Sequence, residues 1–265
     1  KDLNWIKNHI PDNANAIAID ITSSEAVITI MGPKSREFLQ PIISNNLSNN
    51  SFPFSSVQEI DIGYAKARAH RITYVGELGW EIYVSSDLSN HVFETIMKRS
   101  KDHPIQLCGL HTMDSCRIEK GYRHIGHDIS NEDNALEAGL GFVIKENKPS
   151  GKFGKMIGKD SIVKKRNEGL DKVLLQFRLK DPEPLLYHNE PIIRDGMIVG
   201  YLTSGNYGHH LKGAIGLGYI KCNSIGENIE DILSSSYQID VAGKKIDADV
   251  SLKPMYDPQS LKIKI

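Results

Sequence analysis

From residue 171 to the end, the chain is a succession of short apolar stretches cut by glycine turns. No other feature limits the fold as tightly. KVLLQFRL (172–179), EPIIRDGMIVGYLTSG (190–205), AIGLGYI (214–220) and YQIDVAGKKIDADVSL (237–252) are rich in β-branched and aromatic residues. The Asp195-Gly196 pair suits the positive φ angles of a two-residue hairpin loop. Stretches this short and this closely spaced predict an all-β portion over 171–265, built as a small antiparallel barrel or sandwich.

The preceding portion mixes strand and helix periods. AIAIDIT (16–22) and AVITIMG (26–32) alternate, which predicts a hairpin around Ser23-Ser24. Pro33 opens a short helix over 33–43, and further strands are expected over 57–63 and 65–76. Residues 86–100 keep a helical period at Leu88, Val92, Phe93, Ile96 and Met97. A second helix is expected over 111–120, ending at Gly121 as its C′ glycine. The Lys- and Gly-rich segment 147–170 reads as a connection with a short helix inside it. The expected fold class is therefore α+β, with a first region over 1–146 and the β domain after the connection.

Composition narrows the function. With 32 Lys+Arg against 33 Asp+Glu, a net charge of -1 gives no global attraction to nucleic acid or an anionic membrane. No apolar run is long enough to span a bilayer. Cys108, Cys116 and Cys222 are an odd set without a CxxC spacing, which argues against a zinc site or a disulfide framework. The chain opens KDLNWIKNHIPDN with no Met, and we expect it to continue a longer one.

Three stretches carry candidate chemistry. RITYVGELGWEIYV (71–84) reads as two strands, Arg71–Val75 and Trp80–Val84, around a glycine turn. Glu81 sits between Trp80 and Tyr83 in a strand that otherwise favours burial. An exposed edge is the plain explanation for that carboxylate. Aimed into a cleft, its two oxygens suit an arginine fork, or a ring edge with an amide N–H beside an exocyclic amine, as in a pterin. In GLHTMDSCRIEKGYRHIGHDI (109–129), Asp114 and Arg117 stand at i,i+3 and suit a pair. Glu119, Lys120, Arg123, His124, His127 and Asp128 crowd the helix exit. They favour a polar network over a metal site, since no third well-spaced nitrogen or sulfur ligand accompanies the histidines. In YLTSGNYGHHLKGAIGLGYI (201–220), His209 and His210 are adjacent and should face opposite ways. Neither a dinucleotide fingerprint nor a nucleophile elbow is present.

These motifs, with NALEAGLGFVI (134–144) and DPEPLLYHNEPIIRDG (181–196), resemble the folate-binding, aminomethyltransferase-type region of the dimethylglycine and sarcosine dehydrogenase family. That region is itself similar to the T-protein of the glycine cleavage system. The resemblance runs nearly the whole chain. It implies a T-protein-like fold with a C-terminal β-barrel and tetrahydrofolate as cofactor. It also implies transfer of a one-carbon unit from a small methylated amine to give 5,10-methylenetetrahydrofolate, with an N-terminal FAD domain in cis. Glu81 matches the family glutamate that holds the pterin edge, and Tyr74 the tyrosine that lines the folate pocket. Met113 stands where the family helix offers an arginine, so the anionic folate tail needs a cation from elsewhere. The family's catalytic aspartate lies in a segment that would precede Lys1. The catalytic residue is therefore unknown here, and the chain alone is expected to be inactive. No metal, nucleic acid or membrane partner is expected, and the location is cytoplasmic, or mitochondrial matrix in a eukaryote. The alternatives are a free-standing aminomethyl- or methyltransferase, and a non-catalytic folate-binding or regulatory module.

Overall fold

The computed structural model of the chain describes residues 1–144 and 156–265. The Lys- and Gly-rich core of the expected connection lies outside the described residues. Contacts divide the chain into two compact units. The first holds 1–73, 77–107 and 261–265, and the second holds 74–76 and 108–260. By its contacts, the segment from 108 onward thus groups with the β domain.

Helix α1 (Asp2–Asn8) opens the first unit, whose body is a four-stranded antiparallel sheet with helices on one face. β1 (Glu25–Met31), β2 (Val57–Ile62), β3 (Ala65–His70) and β4 (Gly79–Ser85) lie in the order β1-β4-β3-β2. Side chains alternate across the pleat, so Trp80, Ile82 and Val84 of β4 turn inward with Ala65, Ala67 and Ala69 of β3. They meet Phe38 and Leu39 of α2 (Ser35–Leu39) and Val92 and Ile96 of α3 (Ser89–Arg99). Trp80 is fully buried, with the guanidinium groups of Arg36 and Arg71 5.8 and 5.7 Å from its ring centroid.

Three local expectations fail in this unit, each for a physical reason. Residues 16–22 form no strand: Ile17, Ile19 and Ile21 are exposed, and β1 pairs only with β4 among the described residues. Alternation suits a pleat, but a strand also needs a ladder partner. Instead the backbone N–H and hydroxyl of Thr22 bond to the Asp20 carboxylate at 2.9 and 2.6 Å, which closes a local turn. Arg71–Val75 is not a strand either, because β3 ends at His70. Arg71 turns inward to donate to the Phe52 carbonyl at 2.6 Å, and residues 74–76 pack with the second unit. Phe93 of α3 is exposed, which leaves Val92 and Ile96 as that helix's buried residues.

In the second unit, β5 (Lys172–Leu179), β6 (Pro191–Arg194), β7 (Met197–Gly208), β8 (Gly213–Lys221), β9 (Tyr237–Val241) and β10 (Lys244–Ser251) close into a barrel. The strand order is β10-β5-β8-β7-β6-β9, with every pairing antiparallel. Closure leaves no unpaired edge. Phe177, Ile192, Leu202, Ile220, Ile239 and Ile246 fill the interior. Asp195 and Gly196 both take positive φ, at 49° and 84°, as a tight β6–β7 turn requires.

Arg194 anchors the segment after β8. Its guanidinium forks the Glu227 carboxylate at 3.1 and 2.7 Å, and its Nε donates to Ser235 at 2.8 Å. The Arg194 bond, joined by the Asn223 N–H, holds the Glu227 carboxyl below its ordinary range. A depressed carboxyl stabilises the fold above its unfolded pKa, and that stabilisation is lost as pH falls through the folded value. We predict that Glu227→Gln lowers unfolding free energy at pH 7 by about 1.5–3 kcal/mol. Urea unfolding should show this gap narrowing once the pH drops below about 4.3. A gap that stays constant in acid would assign the loss to packing instead of charge.

Candidate functional site

In the first unit, the sheet face opposite the helices is polar. Because Glu81 and Tyr83 alternate with the buried Trp80, Ile82 and Val84, both stand on that face. Register sets Thr29 of β1 and His70 of β3 directly across from Glu81, and Val27 and Arg68 across from Tyr83. The Tyr83 hydroxyl donates to Glu81 Oε2 at 2.9 Å. That bond is the main cause holding the Tyr83 phenol above its ordinary pKa. The His70 ring packs at 4.4 Å from the Tyr83 ring, and the Arg68 guanidinium lies 5.9 Å from the same ring. Arg68 in turn grips both oxygens of Glu25 at 2.7 and 2.5 Å. Glu81 Oε1 accepts no hydrogen bond among the described residues, so acceptor capacity remains on a half-exposed carboxylate.

The second unit is organised around helix α4 (Leu110–Glu119). Its C-terminus follows the chemistry expected of Gly121. With φ at 66°, Gly121 donates to the Ile118 carbonyl at 2.9 Å and Tyr122 to the Arg117 carbonyl at 2.8 Å, a Schellman closure. The buried Gln176 of β5 caps the same end, its amide donating to the carbonyls of Ile118 and Glu119 at 2.6 and 3.0 Å. Ser115 ties the helix to β7 through the Tyr207 carbonyl at 2.6 Å.

Arg117 is 2% exposed and fully occupied. It donates to Asp114 at 2.7 Å, the Tyr122 carbonyl at 3.2 Å, Asp128 at 2.5 Å and Ser204 at 2.8 Å. Asp128, fully buried, also accepts from Thr203 and Ser204 at 2.6 and 2.7 Å and from the His124 N–H at 2.8 Å. Consecutive strand residues normally face opposite ways. A register shift between Leu202 and Ser204 bulges β7 and delivers both hydroxyls to one carboxylate. Asp128 therefore pairs with Arg117.

Of the two expected folate contacts, Glu81 falls in the first unit and Tyr74 in the second. The Tyr74 hydroxyl donates to the Arg123 carbonyl at 3.1 Å, and its ring lies nearly parallel to Tyr122, 6.1 Å between centroids. Burial pushes the Tyr74 phenol pKa up. Met113 is half-buried on α4. The His124 and His127 rings lie tilted against each other, 4.6 Å between centroids. His209 packs on Tyr207, whereas His210 bonds through Nδ1 to buried Glu119 at 3.0 Å. Among the described residues, no group of three or more His, Cys, Asp or Glu side chains is arranged to hold a metal. A cavity of about 330 Å³ beside Glu132, Asp133 and Glu137 is acidic, but Asp133 and Glu137 pair with Lys172 and Lys165.

Sequence reasoning missed Tyr83 as Glu81's partner, although a spacing of two in a strand is the signal for a shared face. The Thr203-Ser204 pair had no such signal, because a bulge depends on the neighbouring strand.

We predict that Asp128→Asn destabilises the protein by about 3–5 kcal/mol, because it strands the buried Arg117 charge. Asp114→Asn, at a carboxylate one-third exposed, should lose less than about 1 kcal/mol. Equal losses in urea unfolding would contradict this ranking of the two partners.

The comparisons with known proteins agree with this architecture. Residues 1–148 match the GCVT N-terminal domain, and residues 172–257 match the glycine cleavage T-protein C-terminal barrel domain. A 4-methylaminobutanoate oxidase (formaldehyde-forming) of Paenarthrobacter nicotinovorans is 34% identical over 94% of this chain and 29% of its own length. Human mitochondrial sarcosine dehydrogenase is 32% identical over 93% of this chain and 26% of its own length. An aminomethyltransferase of Halothermothrix orenii is 33% identical over 86% of this chain and 62% of its own length. The chain thus spans between a quarter and a third of the oxidase and dehydrogenase relatives. Among solved structures, the glycine cleavage system aminomethyltransferase T of Bartonella henselae shares the fold. Its TM-score is 0.71 at 20% identity, over 87% of this chain and 59% of that one. No described helix is long and apolar enough to cross a membrane. With both domain families matched in order, the chain belongs to the glycine cleavage T-protein family, whose relatives here are enzymes.

Proposed function

We propose that this chain is the tetrahydrofolate-binding, one-carbon-transfer portion of a dimethylglycine/sarcosine dehydrogenase-type flavoenzyme. In that role it accepts a one-carbon unit from a small methylated amine, oxidised by a flavin domain in cis, to give 5,10-methylenetetrahydrofolate. The relatives that match over more than nine-tenths of this chain include an oxidase named as formaldehyde-forming and sarcosine dehydrogenases, which supports that reading.

The observation that carries it is the Glu81 carboxylate: half-exposed, on the polar sheet face, with unused acceptor capacity. Those are the requirements for receiving two parallel N–H bonds from a pterin edge, so the residue present fits the group. Tetrahydrofolate, when bound, supplies the amine nitrogens that take up the one-carbon unit. The chain's part is to hold and orient that molecule. In the first unit, Glu81 binds the pterin edge through the acceptor sites its Tyr83 bond leaves open. Asp114 and Asp128 are not candidates for acid–base work, because both are spent on Arg117.

A free-standing aminomethyltransferase is the second reading, favoured by the Halothermothrix orenii relative, of which this chain covers 62%. A flavin domain in the same reading frame separates the two.

Glu81→Gln replaces one acceptor oxygen with a donor at constant size. The loss of a charge-assisted bond predicts tetrahydrofolate affinity weaker by about tenfold to a hundredfold in calorimetry. Unchanged affinity would leave Glu81 an ordinary surface carboxylate. Failure of the parent chain to bind would favour a non-catalytic module.

A further inference from the structure

Glu81 does not stand alone on its sheet face, and its surroundings form a chain of contacts with one direction. Glu25 holds Arg68 through both carboxylate oxygens. Arg68 covers one part of the Tyr83 ring, and His70 packs against that ring at 4.4 Å. The phenol so placed donates to Glu81 Oε2 at 2.9 Å. These side chains lie on neighbouring strands β1, β3 and β4, where register sets Arg68 across from Tyr83 and His70 across from Glu81. A glutamate side chain has three rotatable bonds, and a half-exposed one samples several rotamers. Here the phenol selects one carboxylate orientation from outside.

We propose that Tyr83 is a positioning residue for the pterin-binding carboxylate, and that Glu25, Arg68 and His70 hold it in place. This rests on the folate reading above. Each carboxylate oxygen accepts two hydrogen bonds. Donation to Oε2 uses one site there and leaves the other, together with Oε1, for a ligand that brings two parallel N–H donors. A preset acceptor pair of this kind rewards a ligand carrying both donors and gives little to a ligand with one. Tyr83 thereby contributes selectivity for the amino-substituted pterin edge, beyond affinity.

The test compares tetrahydrofolate with its 2-desamino-2-methyl counterpart by calorimetry on the parent chain, Tyr83→Phe, Glu81→Gln and the double variant. Tyr83→Phe keeps the ring and removes only the hydroxyl. We expect about tenfold weaker tetrahydrofolate binding, little change for the desamino compound, and no further loss in the double variant beyond Glu81→Gln alone. Equal loss for both compounds would mark a general structural effect and overturn the proposal, as would no loss at all. A parent chain that binds neither compound sinks the folate reading and this inference with it. Should Tyr83→Phe fail to fold, Arg68→Gln decides, since it loosens the phenol while leaving Tyr83 and Glu81 in place. A smaller loss of the same selectivity is then expected, and unaltered selectivity overturns the proposal.

Discussion

The Arg117 guanidinium is the interaction on which the second unit depends. It sits beneath the last turn of α4 and reaches the helix itself, the loop that follows it, and barrel strand β7. A buried cation is stable only when its donors are met. Here a carboxylate, a second carboxylate, a carbonyl and a hydroxyl meet them, and Asp128 is in turn satisfied by Thr203, Ser204 and the His124 N–H. The helix, its exit loop and the barrel bulge therefore form as a set. Removing any one of them leaves buried donors or acceptors unmet.

The first unit follows a simpler rule. An antiparallel sheet with one dry face and one wet face separates stability from recognition by the two-residue period of the strand. Trp80, Ile82 and Val84 hold the core, while Glu81 and Tyr83 stand in water on the other face of the same strand. The residues of the wet face are thus free to interact with one another, and the Tyr83–Glu81 bond is the result. In the second unit, the Glu119–His210 pair plays a structural part of the same kind. The buried carboxylate accepts the N–H groups of His210 and Leu211 at 2.8 and 2.9 Å and pins the β7–β8 turn to α4.

Much of this was legible in the chain itself. The barrel strands follow from short β-branched runs with an Asp-Gly turn, and the end of α4 from Gly121. The Asp114–Arg117 pair follows from its i,i+3 spacing on one helix. Each of these depends on residues near in sequence. The misreadings share the opposite cause. Residues 16–22 alternate as well as any strand in the protein, yet without a ladder partner they close on Asp20. Arg71 has the neighbours of a strand residue, but a carbonyl nineteen positions earlier, that of Phe52, draws it into the core.

Sequence alone determined the periodicities, turn chemistry and local pairings, and hence the order of an α+β region and an all-β domain. These reside in φ preferences and in which side chains share a face, and a few consecutive residues decide both. Only the tertiary structure decided that Asp128 belongs to Arg117, that a bulge aims Thr203 and Ser204 at one carboxylate, and that the Tyr83 hydroxyl bonds Glu81. Hydrogen-bond partners are chosen by distance in space. Buried charges accept only those partners that the whole fold brings within about 3 Å.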